Sequence, residues 1–141
     1  MLIVVVSRVF RKAAAIGIML CSVWGAGVAV AATSANEQMA AYAAQSGQDP
    51  QAIRGQAFFT SKHGKDWSCS NCHTATPTSQ GKHASTGKAI APMAPAFNPE
   101  RFADAAKTEK WLRRNCNDVV GRECSAGEKA DVIAFLLSFK R

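Results

Sequence analysis

The chain has 141 residues, of which 48% are hydrophobic and 19% charged, and its formal net charge is +7. That is enough for one domain and not two, and the balance excludes wholesale disorder. Five cysteines are too few for a disulfide-dense mini-protein, and a positive charge without a block of like residues does not indicate nucleic acid.

The first 31 residues read as a secretory signal, leaving 32–141 as the one folded domain. Arg8, Arg11 and Lys12 precede an apolar run from Ala13 to Val30, and Ala29-Val30-Ala31 forms a small-x-small cleavage site. An uncleaved anchor is the competing reading, because Ala13 to Ala32 just reaches bilayer length. Lipid attachment at Cys21 is disfavoured, since Leu20 stands where a small residue is wanted. Cleavage leaves 14 basic and 10 acidic residues, a net of +4, which suits transient docking with an acidic partner. It leaves no membrane span, and export places the remaining cysteines in an oxidising compartment, the periplasm.

Helical signals open the mature chain. Ser34 and Glu37 form a capping box, Met39, Ala40, Tyr42, Ala43 and Ala44 supply a weak apolar stripe, and Gly47 can end the helix. Asp49 as cap and Pro50 at the first helical position predict a second helix, continued by Ile53, Ala57, Phe58 and Phe59. Gly55 lies inside it, which is useful where another backbone must come close. Thr60 to Ser68 is a polar loop. Residues 74–98 form a long aperiodic loop containing Pro77, Pro92 and Pro95, of the kind that wraps a ligand.

Helical pattern then resumes. Asn98-Pro99 predicts a short helix through Phe102, and Thr108 caps another from Glu109 to about Asn117. Trp111, Leu112, Asn115 and Cys116 share one of its faces. Ser125 with Glu128 caps a last helix carrying Val132, Ile133, Leu136, Leu137 and Phe139. No stretch alternates at strand period. The chain is predicted all-α, with four or five short helices and a core small enough to want a buried cofactor.

Cys69-Ser70-Asn71-Cys72-His73 supplies the chemistry. Cys-x-x-Cys-His is the attachment signature of a c-type haem. Two thiols add to two vinyl groups on one porphyrin edge, and the next side chain, His73, falls under the iron as proximal ligand. Its other ring nitrogen is expected to meet a backbone carbonyl near Pro77. A thioredoxin-like pair would need a strand before the motif, and a polar loop stands there instead. A zinc module using Cys69, Cys72 and two of His63, His73 and His83 lacks a second ligand pair. A Cys69–Cys72 disulfide would close a short, strained ring. Cys116 and Cys124 suit a disulfide of about 2 to 3 kcal/mol, with two free thiols as the alternative.

The distal ligand stays open between several donors. Met93 is the usual residue type, but it lies only 20 positions after His73 and can instead pack against the porphyrin. His83 is nearer still and reads as an exposed loop residue, His63 as solvated and Met39 as core. Asn115, 42 positions after His73, has a comfortable path to the distal side. Lys88, Arg101 and Arg114 are candidates to neutralise the propionates. No acid-base pair demands catalysis, so an enzyme is not expected.

These stretches resemble the sphaeroides haem protein family of high-spin, class I-like cytochromes c. The resemblance rests on Cys69 to His73, on Thr86-Gly87-Lys88 with Ile90-Ala91-Pro92 and Ala94-Pro95, and on Pro99 to Phe102. It continues through Lys110-Trp111-Leu112 with Arg114-Asn115-Cys116-Asn117, then Gly121 to Cys124 and Gly127 to Asp131. It implies a class I-like fold wrapped round one covalent haem, with a Cys116–Cys124 disulfide, and Trp111 and Met93 are expected to pack on the haem. It also implies that Asn115 ligates oxidised iron and releases it on reduction, opening the site to oxygen, nitric oxide or carbon monoxide. The implied partners are a dihaem cytochrome c or a membrane cytochrome b. Met93 departs from the family pattern. If it reached the iron, the protein would be an ordinary low-spin His/Met electron carrier.

Overall fold

The computed structural model describes residues 32–141, so the predicted signal segment lies outside the described residues. Five helices and one short strand pair follow in order: α1 Ala35–Ser46, α2 Ala52–Thr60, α3 Ser70–His73, β1 Gly81–Lys82, β2 Ala89–Ile90, α4 Ala105–Val119 and α5 Ala126–Ser138. Among the described residues no helix is long and apolar enough to cross a membrane.

Local signals set several of these limits. The Ser34/Glu37 and Ser125/Glu128 capping boxes both form, and Gly47 ends α1 in the left-handed conformation at φ 67°. Three boundaries differ from the sequence expectation. Helix α2 begins after Gln51 rather than at Pro50, and no side chain of its own caps it. Asp131, from α5, caps it instead: Oδ1 accepts the Gln51 N–H at 2.6 Å, and both carboxylate oxygens accept from Arg54 at 2.7 and 2.9 Å. Helix α4 is capped by Asp104, which accepts the Lys107 N–H at 2.9 Å, while Thr108 lies in the first turn and donates back to the Asp104 carbonyl. The short helix expected at 99–102 is absent. Phe102 turns left-handed at φ 65°, and its carbonyl accepts from Thr33 and Gln38, docking the segment on the start of α1.

Helix α5 is the centre of the core and packs on both α1 and α2. Its Val132, Ile133, Phe135 and Leu136 bury with Ala35, Phe59 and Phe102. The Phe59 and Phe135 rings lie 5.5 Å apart. The crossing of α2 over α5 is close because Gly55 has no Cβ: one there would strike the Asp131 carbonyl. Helix α4 stands apart from this packing and meets the other helices only sparsely. Within the long loop, β1 and β2 pair antiparallel, Gly81 opposite Ile90. The pair is too short to show alternation in the sequence.

Candidate haem-attachment site

The motif forms the single turn α3, whose ladder is the His73 N–H to the Cys69 carbonyl at 3.0 Å. Two side chains set the entry to that turn. Asn71 Oδ1 accepts the Ser68 N–H at 2.6 Å and the Ser68 hydroxyl at 2.8 Å, with Ser68 buried. The exit is sharp: Thr74 sits at φ 64°, a conformation that β-branched residues rarely adopt. Gly81 lets β1 pass against the motif, since a Cβ there would strike the Cys72 carbonyl. The turn is thus held from both ends and from the side.

Cys69 and Cys72 are free thiols, each half-buried. Burial first, then the neighbouring Cys72, pushes the Cys69 thiol up to about 11 despite an opposing backbone hydrogen bond. A thioredoxin-like pair follows a strand, and among the described residues no strand precedes this one. Burial also lowers the His73 imidazole to about 4, aided by the positive charge of Arg101 and by His83. Its Nδ1 is buried with no hydrogen-bond partner. A neutral imidazole is the form that ligates a metal.

The expected carbonyl for that nitrogen is not available to it. Pro77 is buried, and its carbonyl accepts the Met93 and Ala94 N–H groups at 3.0 and 2.9 Å. Those two bonds fold the loop back beside the motif. Met93 is thereby held near Pro77, four residues after His73. Its side chain packs against the same core cluster as Cys69, and Phe59 of that cluster has its ring 6.3 Å from His73.

The other candidates separate clearly. His83 is exposed in the β1–β2 turn. His63 differs from the solvated residue expected: its Nε2 bonds the Phe58 carbonyl at 2.8 Å and its ring lies 4.5 Å from Phe58. Met39 packs on the core. Arg101 is half-buried and donates to the Ala91 and Pro92 carbonyls at 2.8 and 3.0 Å, so it braces the loop. Lys88 and Arg114 are exposed. No group of three or more His, Cys, Asp or Glu side chains comes together among the described residues, which leaves the zinc reading without a site.

Helix α4 brings Trp111, Leu112, Asn115 and Val119 onto one side. Leu112, Asn115 and Val119 are half-buried, whereas Trp111 is 45% exposed, as is Trp67 at 43% in the loop before the motif. That loop abuts the end of α4, where a Cβ on Gly64 would meet the Val120 carbonyl at 3.3 Å. Cys116 and Cys124 are bonded, with Cα atoms 5.6 Å apart, so Asn115 stands one residue from a covalent tether.

The residues present fit a haem. Two free thiols stand with two residues between them, and an imidazole with an orphaned Nδ1 follows them. Helix α4, which the core leaves largely uncovered, presents the exposed Trp111 ring and the half-buried Leu112 on one side.

Comparison with known proteins agrees. A family model described as a domain of unknown function (DUF1924) matches residues 45–136. The chain is 49% identical over 108 residues to the cytochrome c-type protein SHP of Cereibacter sphaeroides, covering 74% of this chain and 83% of that protein. The structure of oxidised SHP, an oxygen-binding cytochrome c, matches with a TM-score of 0.71 at 46% identity, over 77% of this chain and 99% of that one. The solution structure of cytochrome c'' from Methylophilus methylotrophus, described for its haem-ligand detachment, matches with a TM-score of 0.66 at 36% identity, over 76% and 94% of the two chains. With the attachment motif in place and identity at this level over most of SHP, the chain belongs to the SHP and cytochrome c'' family, monohaem c-type cytochromes with one covalently bound haem c.

Proposed function

We propose that this cytochrome transfers single electrons and, when reduced, opens a distal position to oxygen, nitric oxide or carbon monoxide. The observation that carries this reading is the place of Asn115: half-buried on a helix the core leaves largely uncovered, and tethered at the adjacent Cys116. The likeness to SHP, described as oxygen-binding, supports it, as does the haem-ligand detachment described for cytochrome c''.

Bound haem c supplies a one-electron couple and a sixth coordination position. The Cys69 and Cys72 thiols hold it as thioethers, and His73 is the proximal donor. Arg101 keeps the loop closed beside His73, and Trp111 covers the exposed flank. The Asn115 amide oxygen is a hard, neutral donor, so it suits the ferric state better than the ferrous. Asn115 would therefore hold the oxidised form and release the reduced one.

The His/Met reading is less well supported, because the Met93 backbone is tied to Pro77 and its side chain packs against the core cluster. We assign Met93 to haem packing. The reading assigns the chain transfer and ligand binding rather than catalysis. Export by residues 1–31 to the periplasm, and exchange with a dihaem cytochrome c or a membrane cytochrome b, belong to the same proposal.

Optical spectra of the holoprotein test it. The reduced form is expected to show high-spin bands and a clear shift with carbon monoxide, and Asn115→Ala to change the ferric spectrum alone. Sharp low-spin ferrous bands indifferent to carbon monoxide would overturn the assignment in favour of Met93.

A further inference from the structure

Lys129 is a charged residue inside the protein, its side chain only 10% exposed. Its Nζ donates to both carboxylate oxygens of Glu109, at 2.8 and 2.9 Å. The Tyr42 hydroxyl donates to the same carboxylate at 2.6 Å, and the ammonium lies 5.2 Å from the Tyr42 ring centroid. One node thus joins α1, α4 and α5. Burial, then the Glu109 hydrogen bond, raises the Tyr42 pKa, while Lys129 and Tyr42 lower that of Glu109. Both shifts favour the donor and acceptor forms the node uses.

The node matters because α4 has few other contacts with helices. Its other firm attachments are the Phe102–Ala103 segment just before it, whose carbonyls accept from Thr33 and Gln38 of the α1 end, and Cys116, bonded to Cys124 just before α5. Glu109 and Cys116 are two turns apart, about 10 Å along the axis and nearly on one line down the helix. Two attachments along one edge leave only a swing about that edge, which the docking of Phe102 and Ala103 at the start of the helix opposes. Asn115 projects about 100° round the helix from Cys116, so any roll would swing it sideways. Without the node, α4 could rotate about the line from Ala103 to Cys116.

We propose that the Tyr42–Glu109–Lys129 node is a positioning device for the distal side chain, fixing with the disulfide the rotation of α4 and hence how firmly Asn115 is presented to the oxidised centre. This rests on the reading of Asn115 given above. Glu109 acts through Asn115 and is a positioning residue, not a ligand.

The test is titration of the ferric holoprotein with cyanide, an external ligand that must compete with Asn115. A less firmly held Asn115 leaves the position open in a larger fraction of molecules, and apparent affinity rises with that fraction. Glu109→Gln is expected to bind cyanide roughly tenfold more tightly than wild type. Lys129→Arg, which keeps the ion pair, is expected to behave as wild type. Carbon monoxide binding by the reduced protein is expected to stay the same in Glu109→Gln, because Asn115 is already withdrawn.

Glu109→Gln added to Asn115→Ala is expected to add nothing further, since both act on one interaction. Wild-type cyanide affinity in Glu109→Gln, with a raised affinity in Asn115→Ala, would overturn the proposal and leave the distal assignment standing. No change in Asn115→Ala would overturn both. Should Glu109→Gln fail to yield holoprotein, Tyr42→Phe decides: it removes one hydrogen bond, and unchanged cyanide binding there would also overturn the proposal.

Discussion

At Gly55 the geometry leaves no freedom of choice. A methyl group there would strike the Asp131 carbonyl and lie 2.9 Å from the Val132 amide nitrogen. Both are backbone atoms of α5, which cannot swing aside as a side chain would. Gly55→Ala is expected to cost about 3 kcal/mol or more, read as a shift of the urea midpoint. A midpoint unchanged within about 0.5 kcal/mol would mean that α2 slides over α5 at little cost. The sequence showed the glycine and its possible use, but not the atom it avoids, because Asp131 is remote along the chain. The attachment residues were legible for the opposite reason: Cys69, Cys72 and His73 are local, and their spacing is the chemistry. His63 was misread because its partner is a backbone carbonyl five residues back, and backbone partners leave no trace in residue identity.

Helix ends show the same divide between local and remote. The two capping boxes are self-contained within four residues and were readable, whereas α2 takes its cap from Asp131 of α5. Asp104 and Thr108 are both cap-forming types at helix spacing. The structure uses the first, since the Thr108 hydroxyl bonds back into the turn. Two glutamates carry the acid response of these elements. Hydrogen bonds from Lys129 and Tyr42 hold Glu109 below its ordinary value of 4.5, and the bond from Arg122 does so for Glu128. Each carboxylate contributes stability that is complete above its unfolded pKa and is lost as pH falls through its folded one. Thermal midpoints of the holoprotein are therefore expected to hold steady from neutral pH to about 4.5 and to decline below it. Glu109→Gln and Glu128→Gln should each flatten the decline, and an acid limb identical in both variants would place the titrating groups elsewhere. Both carboxylates are partly exposed, so each effect is modest.

On the scale of the whole molecule, α1, α2 and α5 make one packed body, while α4 is held to it by the docked Phe102–Ala103 segment at its start, an ion pair and a covalent bond. Reducing Cys116–Cys124 in the holoprotein is expected to lower stability by about 2 to 3 kcal/mol, measured as the denaturant midpoint with and without reductant. An unchanged midpoint would mean that the ion pair and the bound haem hold α4 by themselves. The all-α class and the small core were legible in the helical periodicity. The sparse seating of α4 was not, because Glu109 and Lys129 are partners across 20 residues and each alone reads as a surface charge. The order of the helices has a consequence in time. Neither α1 nor α2 can bury its apolar side until α5, the last helix made, is present. The Cys69–His73 turn lies between the first pair and that final helix. A chain appearing from its N-terminus therefore offers its two thiols while the body is still open. A haem attached at that stage would be enclosed as the core closes round it.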